Sequence, residues 1–492
     1  STFMLIKLYS KSVLKDCGSK VAVNGGSFGA LELNGYHATE LNDKWSLFTY
    51  ASFIKLNREK YKSHDTELSR DKDVLHLFTT FSTQNQNIMI DGLYSEAGAF
   101  GGTSMDMTPT DARCKLGSLH IGYDANIENF SFLATYDYLI TQSHFEDDVE
   151  PITAFPFYGM YPIKRTDVLA RATTVTAELK HTYRVSNNTL VSGVKHRQKR
   201  YDYDRYKINN RPLPERKNTK QYNTSLFLQN SYALKENLLL SGGVQYQHVY
   251  SKDAKYSEKE NLFMYRAGLT YIKNNWIFKT VAAHSERMLE PYLIDSAFIV
   301  DKKLDNQESN FIYEDIVYKN GVSRYELIFG YMIEKNYLLP DASSQGKLNS
   351  AKSDIALSSA LVRWEYNYNR YDKLFTEFSY QKVDNLPVDG IDSYKVYKGV
   401  LRSLNTYRQF DIFNEVIFDK NNIANKNFYD YSAGVIYNSS EDLKLSVKAE
   451  NIFHKATEMF YVRVNPQTFT QEESLSISPY DRKITFSMEY LF

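Results

Sequence analysis

The chain has 492 residues, with 59 Lys+Arg against 59 Asp+Glu; this zero formal charge removes the electrostatic case for a nucleic-acid or polybasic membrane-surface protein. Two cysteines, Cys17 and Cys114, exclude a disulfide scaffold and any multi-cysteine zinc or iron–sulfur site. Mean hydropathy is −0.48 and no apolar run approaches the ~18 residues of a membrane helix, which excludes a helical membrane protein but not a β-barrel, whose alternating faces average to a soluble-looking value. Along the chain the recurring pattern is strict alternation, the period of a strand with two unlike faces. In Arg171–Tyr183, Val175, Ala177, Leu179, His181 and Tyr183 share one face, and Thr174, Thr176, Glu178 and Lys180 the other. Leu238, Leu240, Val244 and Tyr246 alternate with Ser241, Gln245 and Gln247; Tyr325, Leu327, Phe329, Tyr331 and Ile333 alternate with Arg324, Glu326 and Glu334. Leu443–Glu450 repeats the pattern with Lys444, Lys448 and Glu450 on its polar face, and Ile484, Phe486, Met488, Tyr490 and Phe492 close the chain in one phase.

The connections alternate in length. Short polar turns at Glu40–Lys44, Gln84–Gln86, Val185–Asn188, Lys235–Asn237, Lys273–Asn275, Asn320–Val322 and Ser439–Asp442 join strands in pairs. Between the pairs run longer stretches at Asn57–Arg70, Ser95–Ala112, Thr141–Leu169, Arg205–Lys220, Ser285–Asp305, Asn336–Ser353 and Lys455–Ser476. Short turns at one rim and long loops at the other are the layout of an outer-membrane barrel. The spacing predicts an all-β fold: a transmembrane antiparallel β-barrel of about 22 strands, with long extracellular loops. Lipid offers no hydrogen-bond partners, so a closed sheet is the strand architecture that satisfies every backbone group at membrane depth. Trp364–Tyr371 and Phe428–Tyr431 are expected in the aromatic girdles. The competing fold is a tandem of soluble β-domains; the lack of a repeat and the sorted loops argue against it. The chain opens on Ser1 without a leader pattern, so the compartment must be read from its body.

Several segments resemble the barrel of TonB-dependent outer-membrane receptors. Gly25–Asn57, with its Gly-Ser-Phe-Gly turn, is similar to the family's first hairpins, and Ser225–Val249 to a mid-barrel hairpin. Tyr265–Leu293 is similar to the segment that leads into a large loop, with His284-Ser285-Glu286-Arg287 replacing the usual Phe-Arg-Ala-Pro. Leu304–Tyr318 resembles the following strand, and Ala449–Lys455 and Lys483–Phe492 the last two. Phe492 resembles the terminal aromatic by which such barrels are recognised for assembly. Phe3–Ser10 resembles the last strand of the family's plug domain, so residues 1–16 are expected to be the remnant of a plug end and 17–492 the barrel.

The resemblance implies a Gram-negative outer-membrane receptor that takes up a scarce ligand, most often a ferric siderophore or other iron complex. Its energy would come from a TonB complex acting on a plug expected to lie outside this chain. It also implies a monomer, contact with outer-membrane lipid and lipopolysaccharide, and no cofactor. Alternatives are a receptor for cobalamin, haem or copper, a plugless passive pore, and a soluble β-rich surface protein. No catalytic constellation or phosphate-binding motif is present, so no enzyme is expected.

Candidate site residues lie where strands enter long loops. Lys195–Arg200 (KHRQKR), continuing through Tyr201, Tyr203, Arg205 and Tyr206, combines guanidinium and phenol groups. Arg197, Tyr201, Tyr203 and Arg205 could hold an anionic or catechol-rich ligand through charge-assisted hydrogen bonds and stacking; the same stretch suits a basic rim against lipopolysaccharide phosphates. Arg287 and Glu290 are candidates at the start of the large loop. Met105, Met107 and Cys114 form a soft-ligand set that would suit copper, with a structural loop the simpler reading, so no metal site is assigned. Cys17 and Cys114 are expected at opposite rims and free. Lumen charges such as Glu178, Lys180, Glu326 and Lys448 are expected to form the wall a plug would touch.

Overall fold

The computed structural model describes residues 17–58, 61–63, 66–68, 71–98, 113–146, 165–208, 211–212, 219–252, 259–289, 304–341, 347–351, 353–369, 371–388, 391–421, 427–455, 459–464, 471–477 and 481–492. Phe3–Ser10, Met105, Met107 and Glu290 lie outside these residues. Alternating sequence becomes a single antiparallel sheet whose strands follow chain order. They are β1 (Gly18–Gly26), β2 (Leu31–Glu40), β3 (Ser46–Leu56), β4 (Lys72–Ser82), β5 (Gln86–Gly98), β6 (Arg113–Ile127), β7 (Phe130–Glu146) and β8 (Arg165–Val185). Then come β9 (Asn188–Ile208), β10 (Thr219–Lys235), β11 (Leu238–Lys252), β12 (Lys259–Lys273), β13 (Trp276–Arg287), β14 (Gln307–Asn320) and β15 (Ser323–Lys335). The circuit finishes with β16 (Ile355–Asn367), β17 (Lys373–Val388), β18 (Ile391–Tyr407), β19 (Phe410–Asn421), β20 (Asn427–Asn438), β21 (Leu443–Glu450) and β22 (Lys483–Leu491). β22 pairs with β1 from Lys20↔Leu491 to Gly26↔Thr485, so the sheet has no open edge. It is a closed barrel of 22 strands, with the two-residue piece Arg211–Pro212 pairing antiparallel with the end of β9. No helix among the described residues is long and apolar enough to cross a membrane, and strands do the crossing instead.

The two faces separate by chemistry. Val175, Leu179, Leu226, Leu228, Val244, Phe329, Val362 and Phe486 are all exposed and all point outward, and their register partners carry the same phase around the wall. Side chains of opposite phase, Glu178, Gln245, Glu326 and Lys448 among them, line the lumen. An exposed apolar band on the outside is what a hydrocarbon solvent requires. Near the short-turn rim, Trp276, Tyr318, Tyr325, Trp364 and Tyr366 form a row of tilted and stacked rings across four strands, with successive ring centroids 4.6, 6.2, 6.3 and 6.0 Å apart. Their amphipathic rings suit the membrane–water interface. Tyr429 and Tyr431 point outward at the long-loop end of β20, but Phe428 in the same segment turns inward and is buried, because alternation puts consecutive residues on opposite faces.

Each short turn anticipated from sequence joins a hairpin at one rim. At the other rim the strands outrun the expected loop starts: β7 continues to Glu146, β8 begins at Arg165 and β9 runs to Ile208. Stretches polar on both faces read as loop, yet the ladder continues past the lipid because water on both sides does not break it. The long connections also carry hairpins of their own, at Tyr61–Ser63/Thr66–Leu68, Leu338–Asp341/Lys347–Ser350 and Met459–Val464/Gln471–Ile477. The Gly-Ser-Phe-Gly turn closes the first hairpin at this same rim, with Phe28 and Gly29 at φ 61° and 75°. Gly29 tolerates that left-handed backbone at no steric cost.

Candidate functional site

The lumen wall of β8–β12 gathers the chemistry of interest. Register pairs Glu178 with Lys195, Thr176 with Arg197, Thr174 with Lys199, Ala172 with Tyr201 and Ala170 with Tyr203, so all these residues face inward. Between Leu169 and Ala170 the register slips by one, a bulge that places Asp204 and Arg205 on the outer face. There Arg205 Nη1 lies 2.9 Å from Asp167 Oδ2, and Arg171 binds Asp204, whose hydrogen bond and charge raise the Arg171 pKa further. Arg200 pairs with Asp202 on the same outer face at 2.9 Å. The basic stretch is thus divided by the wall: Lys195, Arg197, Lys199, Tyr201 and Tyr203 see the lumen, and Arg200 and Arg205 see the surroundings.

Below Arg197 the lumen wall forms a groove of about 390 Å³. Glu178 accepts Lys180 at 2.8 Å and Lys195 at 3.2 Å, so two cations share one carboxylate. Arg197 has no ion pair among the described residues; its groove neighbours across β10 and β11 are amides and hydroxyls, Asn223, Ser225, Gln229, Gln245 and Gln247. Arg266, inward on β12, donates to Gln229 Oε1 at 3.1 Å rather than to a carboxylate. Neither this amide cluster nor Arg266 was singled out from sequence, although the polar phase of β11 (Gln245, Gln247) already carried the signal.

Further round the barrel, the wall of β15–β19 is closed on itself. Arg363 bridges Glu326 and Glu377, each at 2.7 Å, and Arg324 meets Glu326 at 2.9 Å. Arg402 pairs with Glu415, and the Arg363 and Arg402 guanidiniums flank the Phe375 ring at 5.7 and 5.6 Å. A further inward row crosses β4–β7, where His76 lies 2.8 Å from Asp91 and His120 2.5 Å from Asp137. Nearer the long-loop rim, Met288 and Leu289 turn inward after β13 and bury Val249 and Leu262, with Leu304 and Leu338 packed alongside. Arg287, at the end of β13, is exposed within electrostatic reach of Glu334. Cys17 precedes β1 at the short-turn rim and Cys114 lies near the other end of β6; both thiols are free. Among the described residues no group of three or more His, Cys, Asp or Glu side chains is arranged to hold a metal ion.

A closed barrel of this size, apolar outside, charged inside, with short turns at one rim and elaborated loops at the other, defines the class of large outer-membrane transport barrels. The chain belongs to the TonB-dependent receptor family: the profile described as "TonB dependent receptor-like, beta-barrel" matches residues 32–297, just over half of its length. It is therefore an outer-membrane protein of Gram-negative bacteria, a receptor and transporter barrel, and the short-turn rim is periplasmic. Solved structures of similar fold include the copper transporter OprC (TM-score 0.73, 13% identity, 96% of this chain and 80% of that one). The FrpB iron transporter of Neisseria meningitidis, F5-1 variant apoprotein, is similar at TM-score 0.73 and 11% identity over 97% of this chain and 81% of that one. The ferric yersiniabactin uptake receptor FyuA of Yersinia pestis is similar at TM-score 0.69 and 10% identity over 97% and 80%. No curated protein matches by sequence. At these identities the likeness concerns the fold, and the cargoes named are those of the other proteins.

Proposed function

We propose that this barrel takes up a metal chelate, most readily a ferric siderophore, captured at the outer mouth of the lumen and passed inward with energy from a TonB complex. The observation that carries the reading is the inward line Arg197, Tyr201 and Tyr203 on β9, one guanidinium and two phenols on a single face. Such groups recognise an anionic, oxygen-rich, aromatic chelate by charge-assisted hydrogen bonds and stacking. The inward charges of the β15–β19 wall suit contact with a plug, and residues 1–16 are read as the end of that domain. Iron fits the oxygen-rich character of this mouth better than copper does, since the soft-ligand set would need Met105 and Met107 beside Cys114.

The test is uptake of radiolabelled ferric chelates by cells whose only iron receptor is this chain. Uptake that saturates and stops when an uncoupler removes the proton-motive force supports the reading. Uptake that rises linearly with concentration and ignores the uncoupler would instead identify a passive pore.

A further inference from the structure

We infer that the inward face of β8 and β9 is an anion track, a ladder of cations leading from the aromatic mouth to the periplasmic rim. The inference rests on the chelate-uptake reading and sharpens it to trianionic, catecholate-type chelates and similar polyanions. On β9 the inward residues from the mouth downward are Tyr203, Tyr201, Lys199, Arg197 and Lys195, and β8 continues them with Lys180 and Arg184 beside the periplasmic turn. Alternate residues of a strand stand about 7 Å apart, so a polyanion leaving one of the β9 cations is already within reach of the next, and the last step, from Lys180 to Arg184, spans about 13 Å.

Three features separate this strip from an ordinary wet wall. The first is imbalance: Glu178 is the one carboxylate on the inward faces of β8 and β9, and it is shared by Lys180 and Lys195. On the β15–β19 wall three arginines, Arg324, Arg363 and Arg402, are matched by three glutamates, Glu326, Glu377 and Glu415. The second is the groove of about 390 Å³ beside the ladder, whose polar lining from β10 and β11 is amides and one hydroxyl and whose single carboxylate is Glu178, already shared by Lys180 and Lys195. Amides can replace part of an anion's hydration shell without fixing it in place. The third is Glu178 itself: a carboxylate amid lysines keeps the lower rungs from holding an anion too tightly, and conduction requires weak, multiple sites. The chain as a whole carries no net charge, so the positive strip is a local arrangement and not a reflection of composition.

The experiment measures equilibrium binding of two probes to the full chain in detergent: ferric tris(catecholate), a trianion, and a neutral ferric trihydroxamate. The trianion is expected to bind with an affinity that falls as salt rises, and the neutral chelate to bind at least about tenfold more weakly. Arg197→Glu combined with Lys199→Glu is expected to weaken the trianion by at least about tenfold and to flatten its salt dependence, with the neutral probe unmoved. Arg200→Glu, on the same strand but the outer face, is expected to change nothing. Arg197→Gln repeats the test without charge reversal, and heat-modifiable migration on electrophoresis checks that each variant is folded. Equal binding of both probes, an effect of Arg200→Glu as large as that of the inner pair, or no trianion binding at all would overturn the track. The receptor reading is judged separately: energy-dependent cellular uptake of the neutral chelate without trianion binding would leave that reading standing and remove the track alone.

Discussion

Glu314 is the residue that most violates the pattern around it. It stands outward and exposed on β14, between Ile312 and Ile316, opposite Thr280 on β13 and Phe329 on β15. The girdle residue Tyr318 lies four positions toward the periplasmic rim, which places Glu314 inside the lipid-facing band, and it makes no ion pair among the described residues. Carboxylates on the lipid face are unfavourable, though less so than Arg or Lys. Glu314→Leu is therefore expected to stabilise the barrel by about 1 kcal/mol, read as a higher midpoint in denaturant unfolding from vesicles. Glu326 is the converse case, with 6% of its side chain exposed and two arginines bound. Arg363→Ala leaves it with Arg324 alone and strips Glu377 of its partner, an expected cost of about 1–3 kcal/mol in the same assay.

At the scale of the strand, face decides the outcome of a substitution more than residue type does. Leu226 is 56% exposed on the outer wall of β10, roughly midway between the outward rings of Tyr232 and Tyr222. Leu226→Arg is expected to cost about 2–4 kcal/mol, whereas Gln245→Arg on the inward face of neighbouring β11 is expected to fold normally. The seam strand β1 is a second point of leverage, because it pairs with both β2 and β22. Val23→Pro removes a ladder donor there and is expected to abolish the heat-modifiable, compactly migrating form.

The same scale shows what could be read in the sequence. The strand number and the inward positions of Glu178, Lys180, Glu326 and Lys448 were legible, since two unlike solvents imprint period two. The upper reaches of β7, β8 and β9 were not: beyond the lipid both faces are wet, the period fades, and Thr141–Leu169 looks like loop although its two ends, Thr141–Glu146 and Arg165–Leu169, are paired. Nor could sequence divide the basic stretch. Tyr203 and Arg205 are two apart and should share a face, but the bulge at Asp204 inserts a residue and turns Arg205 outward. Lys180 is distant in sequence from the mouth and joins Lys195 around Glu178 only through the β8–β9 register.

For the whole molecule, closure is the property from which the rest follows. It satisfies the backbone at membrane depth, isolates a wet lumen and lets one wall be self-neutralised while another stays positive. Cysteine scanning across Leu238–Lys252, with Cys17 and Cys114 replaced by Ser, tests this most directly. Thiols at 241, 243, 245 and 247 should react with a membrane-impermeant reagent once it enters the lumen, while those at 240, 242, 244 and 246 should be shielded from it and quench a bilayer-resident fluorophore. Reactivity without period two, or with the two sets interchanged, would contradict a closed barrel with lipid outside and water within.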